Sequence, residues 1–237
     1  LDKTTVVVSV NIGSLAETLE FQGLAHFLEH MLFLGSEKYP EENQFSKFIS
    51  DNGGFTNAFT ANTETTYYFS IFNESLETAL DMFSEFFKSA RFDPSSVDRE
   101  INAVHSEHTK NIMDDSWRLD YFKDIISKEG STVNKFKTGN LSSLQKEGLR
   151  EKMIEFYNTY YLPSNISIVT VSSLDNIHTS GMIENIFSKI QNKGSNNITI
   201  TKPLYNNGSE SYFLKSVSDV NTLMYLWEIP LIKGNYK

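Results

Sequence analysis

His26, Glu29 and His30 are side chains of the types that hold a divalent metal and move a proton, and they fall within one turn or so of each other. They lie in the run Gly23 to Gly35, Gly-Leu-Ala-His-Phe-Leu-Glu-His-Met-Leu-Phe-Leu-Gly. Two histidines at i, i+4 project from the same side of a helix about 6 Å apart. That is close enough for both imidazoles to reach one Zn²⁺ at about 2.0 to 2.1 Å. Glu29 is expected on the same exposed flank, where it can face an activated water without being a ligand. The order His-x-x-Glu-His inverts the commoner His-Glu-x-x-His. Taken alone, this helix has a plainer alternative, a pair of surface histidines on a segment that otherwise packs.

Two imidazoles do not fill a zinc site, so a further ligand has to come from elsewhere. Asp93-Pro94 reads as a helix start, with Asp93 as N-cap and Pro94 at N1. In that helix Glu100, Glu107 and Asn111 share a face, because seven residues is nearly two full turns. Glu107 is the better candidate for ligand, and Glu100 for the acid that holds an imidazole N–H and so presents the other ring nitrogen to the metal. Spacing by itself does not rank the two acids. Two histidines and one carboxylate leave a fourth position open to water, as a catalytic zinc requires. His105 and His108 point off that face and are expected in solvent. Trp117, further along, is either core or the wall of a substrate pocket.

The elements that must position these residues are legible from periodicity. Leu24, Phe27, Leu28, Met31 and Leu32 repeat at i, i+3, i+4, i+7, i+8, the stripe of an amphipathic helix seated on a core, and Gly35 is expected to stop it in the left-handed region. Thr4 to Asn11 is Val-rich and predicts a strand. Pro40 with Glu41 and Glu42 predicts a helix start with proline at N1, ended by Asn52-Gly53-Gly54. Phe55 to Ala61 and Thr65 to Phe72 predict a hairpin. If one of its strands is an edge, an extended peptide could add to it through main-chain bonds. Helices are predicted over Glu74 to Phe87, Gly148 to Tyr161 and Asp175 to Gln191, with a loop from Ser131 to Leu144 and a strand over Asn165 to Val171. Ile198 to Ile200, Tyr212 to Val217 and Thr222 to Ile229 read as closing strands. The order of elements predicts an α+β fold, helices packed on a largely antiparallel sheet.

Composition narrows the function classes. With 237 residues, 39% hydrophobic and 13% aromatic, the chain can bury a substantial core as one domain or two small ones. No apolar run approaches the ~20 residues of a membrane span. A net charge of -9 argues against nucleic-acid backbones and anionic membranes as partners. The chain has no cysteine, which leaves His and carboxylates for any metal and fits a reducing compartment such as the cytoplasm. The Asn-x-Ser/Thr triplets at Asn73, Asn140 and Asn165 are read as accidents of an Asn-rich chain. Opening on Leu1 and entering a strand almost at once, the chain reads as a fragment of something longer.

The runs Gly23 to Pro40, Asn52 to Thr60 and Glu100 to Asn111 together resemble the insulinase, or pitrilysin, family of zinc metallopeptidases, whose inverted motif gives the name inverzincin. The likeness continues through Thr138-Gly139-Asn140 and the Phe156 to Ser173 passage and covers nearly the whole chain. It departs at His105, where an Asp is usual. The resemblance implies His26, His30 and Glu107 as Zn²⁺ ligands, Glu29 as general base and Glu100 as the supporting acid. It implies that Asn57, Ala58 and Phe59 lie on the edge strand beside which substrate pairs, and that Trp117 lies near the primed side. The implied activity is zinc-dependent endopeptidase hydrolysis of peptides. The implied organisation is residues 1–237 as a single N-terminal zinc-binding domain of a longer protease, working with further domains of the same chain or a homologous partner half. The alternative is a piece that binds zinc or peptide but cleaves nothing without that half.

Overall fold

The Val-rich run forms a central strand of the sheet. The computed structural model describes residues 2–192, 194, 196, 205–206 and 208–229. In it β1 (Lys3–Val10) buries Val6, Val8 and Val10 and turns Thr5, Val7 and Ser9 to the opposite face. β-branched residues alternating with period two are what a pleated strand covered on one side requires. The chain then forms α1 (Leu24–Met31), α2 (Gln44–Asp51) and the hairpin β2 (Phe55–Thr60) and β3 (Thr65–Phe72). After these come α3 (Leu76–Ser84), α4 (Pro94–Asn111), α5 (Asp115–Ile125), the short α6 (Leu141–Leu144), α7 (Leu149–Tyr160), β4 (Ile166–Val171) and α8 (Asn176–Phe187).

The strands lie in the order β2-β3-β1-β4, every neighbouring pair antiparallel. Helices cover one face. Phe27, Leu28 and Met31 of α1, Phe45 and Ile49 of α2, and Leu80 and Phe83 of α3 meet Val6, Val8, Tyr67 and Phe69 of the sheet in one continuous core. The other face leaves Phe55, Phe59, Val169 and Val171 exposed. The fold is thus α+β, helices on an antiparallel sheet, as the order of elements predicted. Each fully buried Leu, Met or Phe of α1 contributes about 1.5 to 3 kcal/mol, so α1 is anchored by its apolar stripe rather than by its short length.

Several boundaries differ from expectation for identifiable reasons. Pro40 is not the N1 residue of α2: the helix begins four residues later, at Gln44, behind Asn43 in the left-handed region. Gly35 does follow the helix, but α1 ends at Met31 and tightens into a 3₁₀ turn over Leu32–Leu34, and Gly35 adopts φ 115°, ψ 159°, an extended conformation only glycine holds easily. Asp93 precedes α4, yet its carboxylate pairs with Arg91 at 2.8 Å instead of capping the helix. Within the expected loop over 131–144, Asn140 caps α6 through a reciprocal capping box with Ser143.

The closing strands are the largest correction. Ile198 to Ile200 lies outside the described residues. Tyr212 to Val217 and Thr222 to Ile229 form no strand, and most of their apolar side chains, Phe213, Tyr225 and Trp227 among them, are exposed. An alternating apolar segment becomes a strand only where a sheet edge pairs with it, and among the described residues no strand pairs with this one.

Candidate metal centre

Three elements carry the site: α1 packs against both α4 and β2. His26 and His30 stand on α1, Glu100 and Glu107 on α4, and Thr60 closes β2. The i, i+4 spacing brings the two imidazoles into edge-to-face contact, with ring centroids 4.7 Å apart. Each ring is held through Nδ1. That of His26 meets the Thr138 carbonyl at 2.6 Å, and that of His30 meets Glu100 Oε1 at 2.7 Å. With both Nδ1 atoms facing oxygen acceptors, each Nδ1–H donates, and in the neutral ring each Nε2 is left as a lone-pair donor.

Those two Nε2 atoms face each other and Glu107. They are 3.2 Å apart, and Glu107 Oε2 lies 3.6 Å from His26 Nε2 and 3.4 Å from His30 Nε2. Ligands arranged tetrahedrally around zinc at 2.0 to 2.1 Å are separated from one another by about 3.3 Å. The two nitrogens and one carboxylate oxygen therefore fit such an ion, and among the described residues this is the one cluster of metal-ligand type. Asn111 Nδ2 holds the other Glu107 oxygen at 3.4 Å. All three candidate ligand residues are only partly buried, so the cluster stays open on one side.

Electrostatics in the metal-free site follow from this crowding. Burial disfavours the charged form of His30, but the hydrogen bonds to Glu100 and Glu107 outweigh it and hold the imidazole up at about 9. The same His30 contact, against a smaller cost of burial, draws Glu107 down to about 2. Both shifts follow from two acids crowding one imidazole.

Glu29 departs from expectation. It is buried at 7% exposure rather than standing on an open flank, and its Oε2 accepts the Thr60 hydroxyl at 2.6 Å. Burial raises its carboxyl above the ordinary value, against the pull of the neighbouring His26. A carboxylate brought closer to neutrality is better suited to accept and return a proton.

Among the described residues β2 is an edge of the sheet, bonded to β3 alone, with Asn57 opposite Tyr68 and Ala58 opposite Tyr67. Phe59 is 47% exposed, and the Ala58 N–H is met by the Asn57 side chain at 2.9 Å. Trp117 is not core: it is half exposed on α5 and takes part in none of the site's hydrogen bonds. His105 and His108 are each half-buried rather than fully solvated. Among the described residues His105 Nδ1 is buried without a hydrogen-bond partner, and His108 packs edge-on against Phe136 at 4.9 Å.

Sequence reasoning missed the groups that hold the site from behind. Thr60 and the Thr138 carbonyl carry no periodic signal, since one is a strand terminus and the other a backbone atom. Gly23 and Gly139 meet backbone to backbone: a Cβ on Gly23 would come within 2.2 Å of the Gly139 Cα. Glu17 did carry a signal, an acid shortly before a helix that starts on glycine. Its carboxylate accepts the N–H groups of Gly23 and Ala25, each at 2.8 Å. Burial pushes the Glu17 carboxyl up, against the pull of those N–H groups and of Lys135 and Lys137.

Fold and site together describe an α+β domain with a cluster of metal-ligand type against a sheet edge, and comparison places it: the chain belongs to the insulinase family, peptidase family M16. The family model described as "Insulinase (Peptidase family M16)" matches residues 2–129, and one described as "Peptidase M16 inactive domain" matches residues 149–237. Insulin-degrading enzyme of Homo sapiens is 43% identical over 201 residues, covering 81% of this chain and 19% of that protein. The A-factor-processing enzyme of Saccharomyces cerevisiae is 36% identical over 199 residues, with 81% and 19% covered. The crystal structure of pitrilysin superposes with TM-score 0.83 at 30% identity, covering 87% of this chain and 22% of that one. The chain thus spans about a fifth of the length of these relatives. The boundary between the two family matches does not divide the sheet, since β1 lies in the first match, β4 in the second, and they pair along Thr5 to Val10.

Proposed function

We propose that residues 1–237 form the zinc-binding domain of a longer zinc-dependent endopeptidase, with His26, His30 and Glu107 holding Zn²⁺. The observation that carries this reading is the convergence of His26 Nε2, His30 Nε2 and Glu107 Oε2 at 3.2 to 3.6 Å, the spacing a shared ion needs. Zinc bound there would polarise a scissile carbonyl and make water a nucleophile near neutral pH. Glu29 is the general base. Thr60 fixes its Oε2, so the other oxygen is the one to take the attacking water's proton and deliver it to the leaving amine. Glu100 acts through His30, keeping the proton on Nδ1 and Nε2 free.

The substrate is an extended peptide that adds to the free edge of β2 along Asn57, Ala58 and Phe59, through main-chain hydrogen bonds that need no fixed sequence. Such an addition displaces the Asn57 side chain from the Ala58 N–H. Trp117, half exposed, is available to the leaving-group side. Further domains of the same protease, or a homologous partner half, close over this site. A second reading, a domain that binds zinc but cleaves only with that partner half, is favoured by one fact: the chain covers 19% of the human relative.

Zinc analysis combined with a fluorogenic peptide assay tests both. Stoichiometric zinc with turnover supports the first reading and zinc without turnover the second. A chain that retains no zinc overturns both.

A further inference from the structure

We infer that Glu17 is a positioning residue for the metal site, setting the start of α1 so that His26 and His30 reach a common ion. The inference rests on the metal-site reading above. It begins from an unusual helix start. The first N–H groups of any helix lack intrahelical acceptors and are ordinarily met by a Ser, Thr, Asp or Asn side chain at the N-cap. In α1 the N-cap is Gly23 at φ 87°, with no side chain to offer. Glycine is required there because Gly139 presses against it backbone to backbone.

The capping function has moved upstream to Glu17. This carboxylate, 4% exposed, spends both oxygens on α1: Oε2 on the Gly23 N–H and Oε1 on the Ala25 N–H. Ala25 immediately precedes His26. Glu17 is itself fixed, because Lys135 Nζ donates to the carbonyls of Leu15 at 2.9 Å and Glu17 at 2.5 Å. Three residues beyond Lys135, the Thr138 carbonyl holds His26 Nδ1, and between them the Phe136 N–H meets Gln22 Oε1 at 2.6 Å. One segment, Lys135 to Gly139, therefore fixes the backbone that leads into α1, the acid that caps it and the ring of its first candidate ligand.

A stability role alone would not require this convergence. Both Glu17 bonds fix the rotation of the first turn about the helix axis. An error there is carried to His26 Nε2, which stands 3.2 Å from its partner nitrogen. Loss of one bond leaves α1 seated by its apolar stripe but free to rotate by a few degrees, and metal geometry suffers before the fold does.

The test uses the full chain with zinc and cobalt as probes. Glu17→Gln keeps size and one carbonyl oxygen but presents an NH₂ to one of the two N–H donors. Its zinc affinity, measured by chelator competition, is expected to fall about tenfold, and the visible absorption of its Co²⁺ form to shift. Glu17→Asp, which retains two acceptors on a shorter arm, should recover part of both. Ile186→Val in α8, matched for melting temperature, should change neither. Wild-type affinity and spectrum in Glu17→Gln, or an equal loss in Ile186→Val, overturns the inference. If Glu17→Gln does not fold, Lys135→Met is read by the same two signals with the same expected and contrary results. A wild-type chain without zinc affinity overturns the metal-site reading and this inference with it. Zinc-binding wild type with an unaffected Glu17→Gln overturns this inference alone.

Discussion

Two pairs of histidines on neighbouring helices have different fates. On α1, His26 and His30 are four residues apart, and each Nδ1 meets an oxygen acceptor, so the Nε2 atoms turn toward each other and Glu107. On α4, His105 and His108 are three apart with no such acceptors: one buries its Nδ1 unpartnered and the other packs against Phe136. Proximity in sequence is similar in the two cases. The difference lies in what stands behind the rings, and it teaches that a metal site is specified as much by acceptors on the far nitrogen as by the spacing of the ligands.

The comparison is broken most directly by removing ligands. His26→Ala or Glu107→Ala should abolish stoichiometric zinc after dialysis, whereas His105→Ala and His108→Ala should keep it. Metal analysis of the four variants checks this, and equal zinc in all would erase the distinction. Glu29→Gln should keep zinc and the fold but lower kcat about 10²- to 10⁴-fold in the assembled protease, because an amide cannot accept the proton. Unchanged turnover there would remove Glu29 from the chemistry.

Smaller changes sharpen it. Glu100→Gln should lower zinc affinity by about 10- to 100-fold without removing the ligand set, as read by chelator competition.

The pH dependence follows from the shifts in the metal-free site. His30, held at about 9 against an unfolded value of 6.5, stabilises the metal-free fold fully below pH 6.5 and loses that contribution as pH rises through 9. Glu107, held at about 2 against 4.5, contributes above pH 4.5 and loses it as pH falls through 2. The metal-free chain should therefore show a stability plateau between pH 4.5 and 6.5 in denaturant titrations. Zinc must displace the His30 proton, so its affinity should rise about tenfold per pH unit from pH 7 to 9. A plateau displaced to pH 8, or zinc affinity flat across that range, would contradict the hydrogen bonding assigned to His30.

What the sequence disclosed divides along the same line. The stripe of α1, the hairpin, the strand β1 and the shared face of Glu100 and Glu107 follow from periods of 3.6 and 2 and were legible. So was the pairing of His26 with His30, because two histidines one turn apart need no tertiary information to converge. The burial of Glu29 was not legible, since it depends on the end of β2 arriving beside α1. Nor were the Thr138 carbonyl and the Gly23 to Gly139 contact, which bring together residues more than a hundred positions apart. The apolar alternation over 212–229 misled for a related reason, because a pattern states that a segment can be a strand and not that an edge is free to receive it.

The central claim is that His26, His30 and Glu107 share one ion. X-ray absorption spectroscopy on the zinc-loaded chain tests it most directly. The account predicts two imidazole nitrogens and oxygen ligands at about 2.0 to 2.2 Å, and no stoichiometric zinc left to scatter in His30→Ala. Zinc held without imidazole scattering, or a spectrum unchanged by loss of His30, would contradict it.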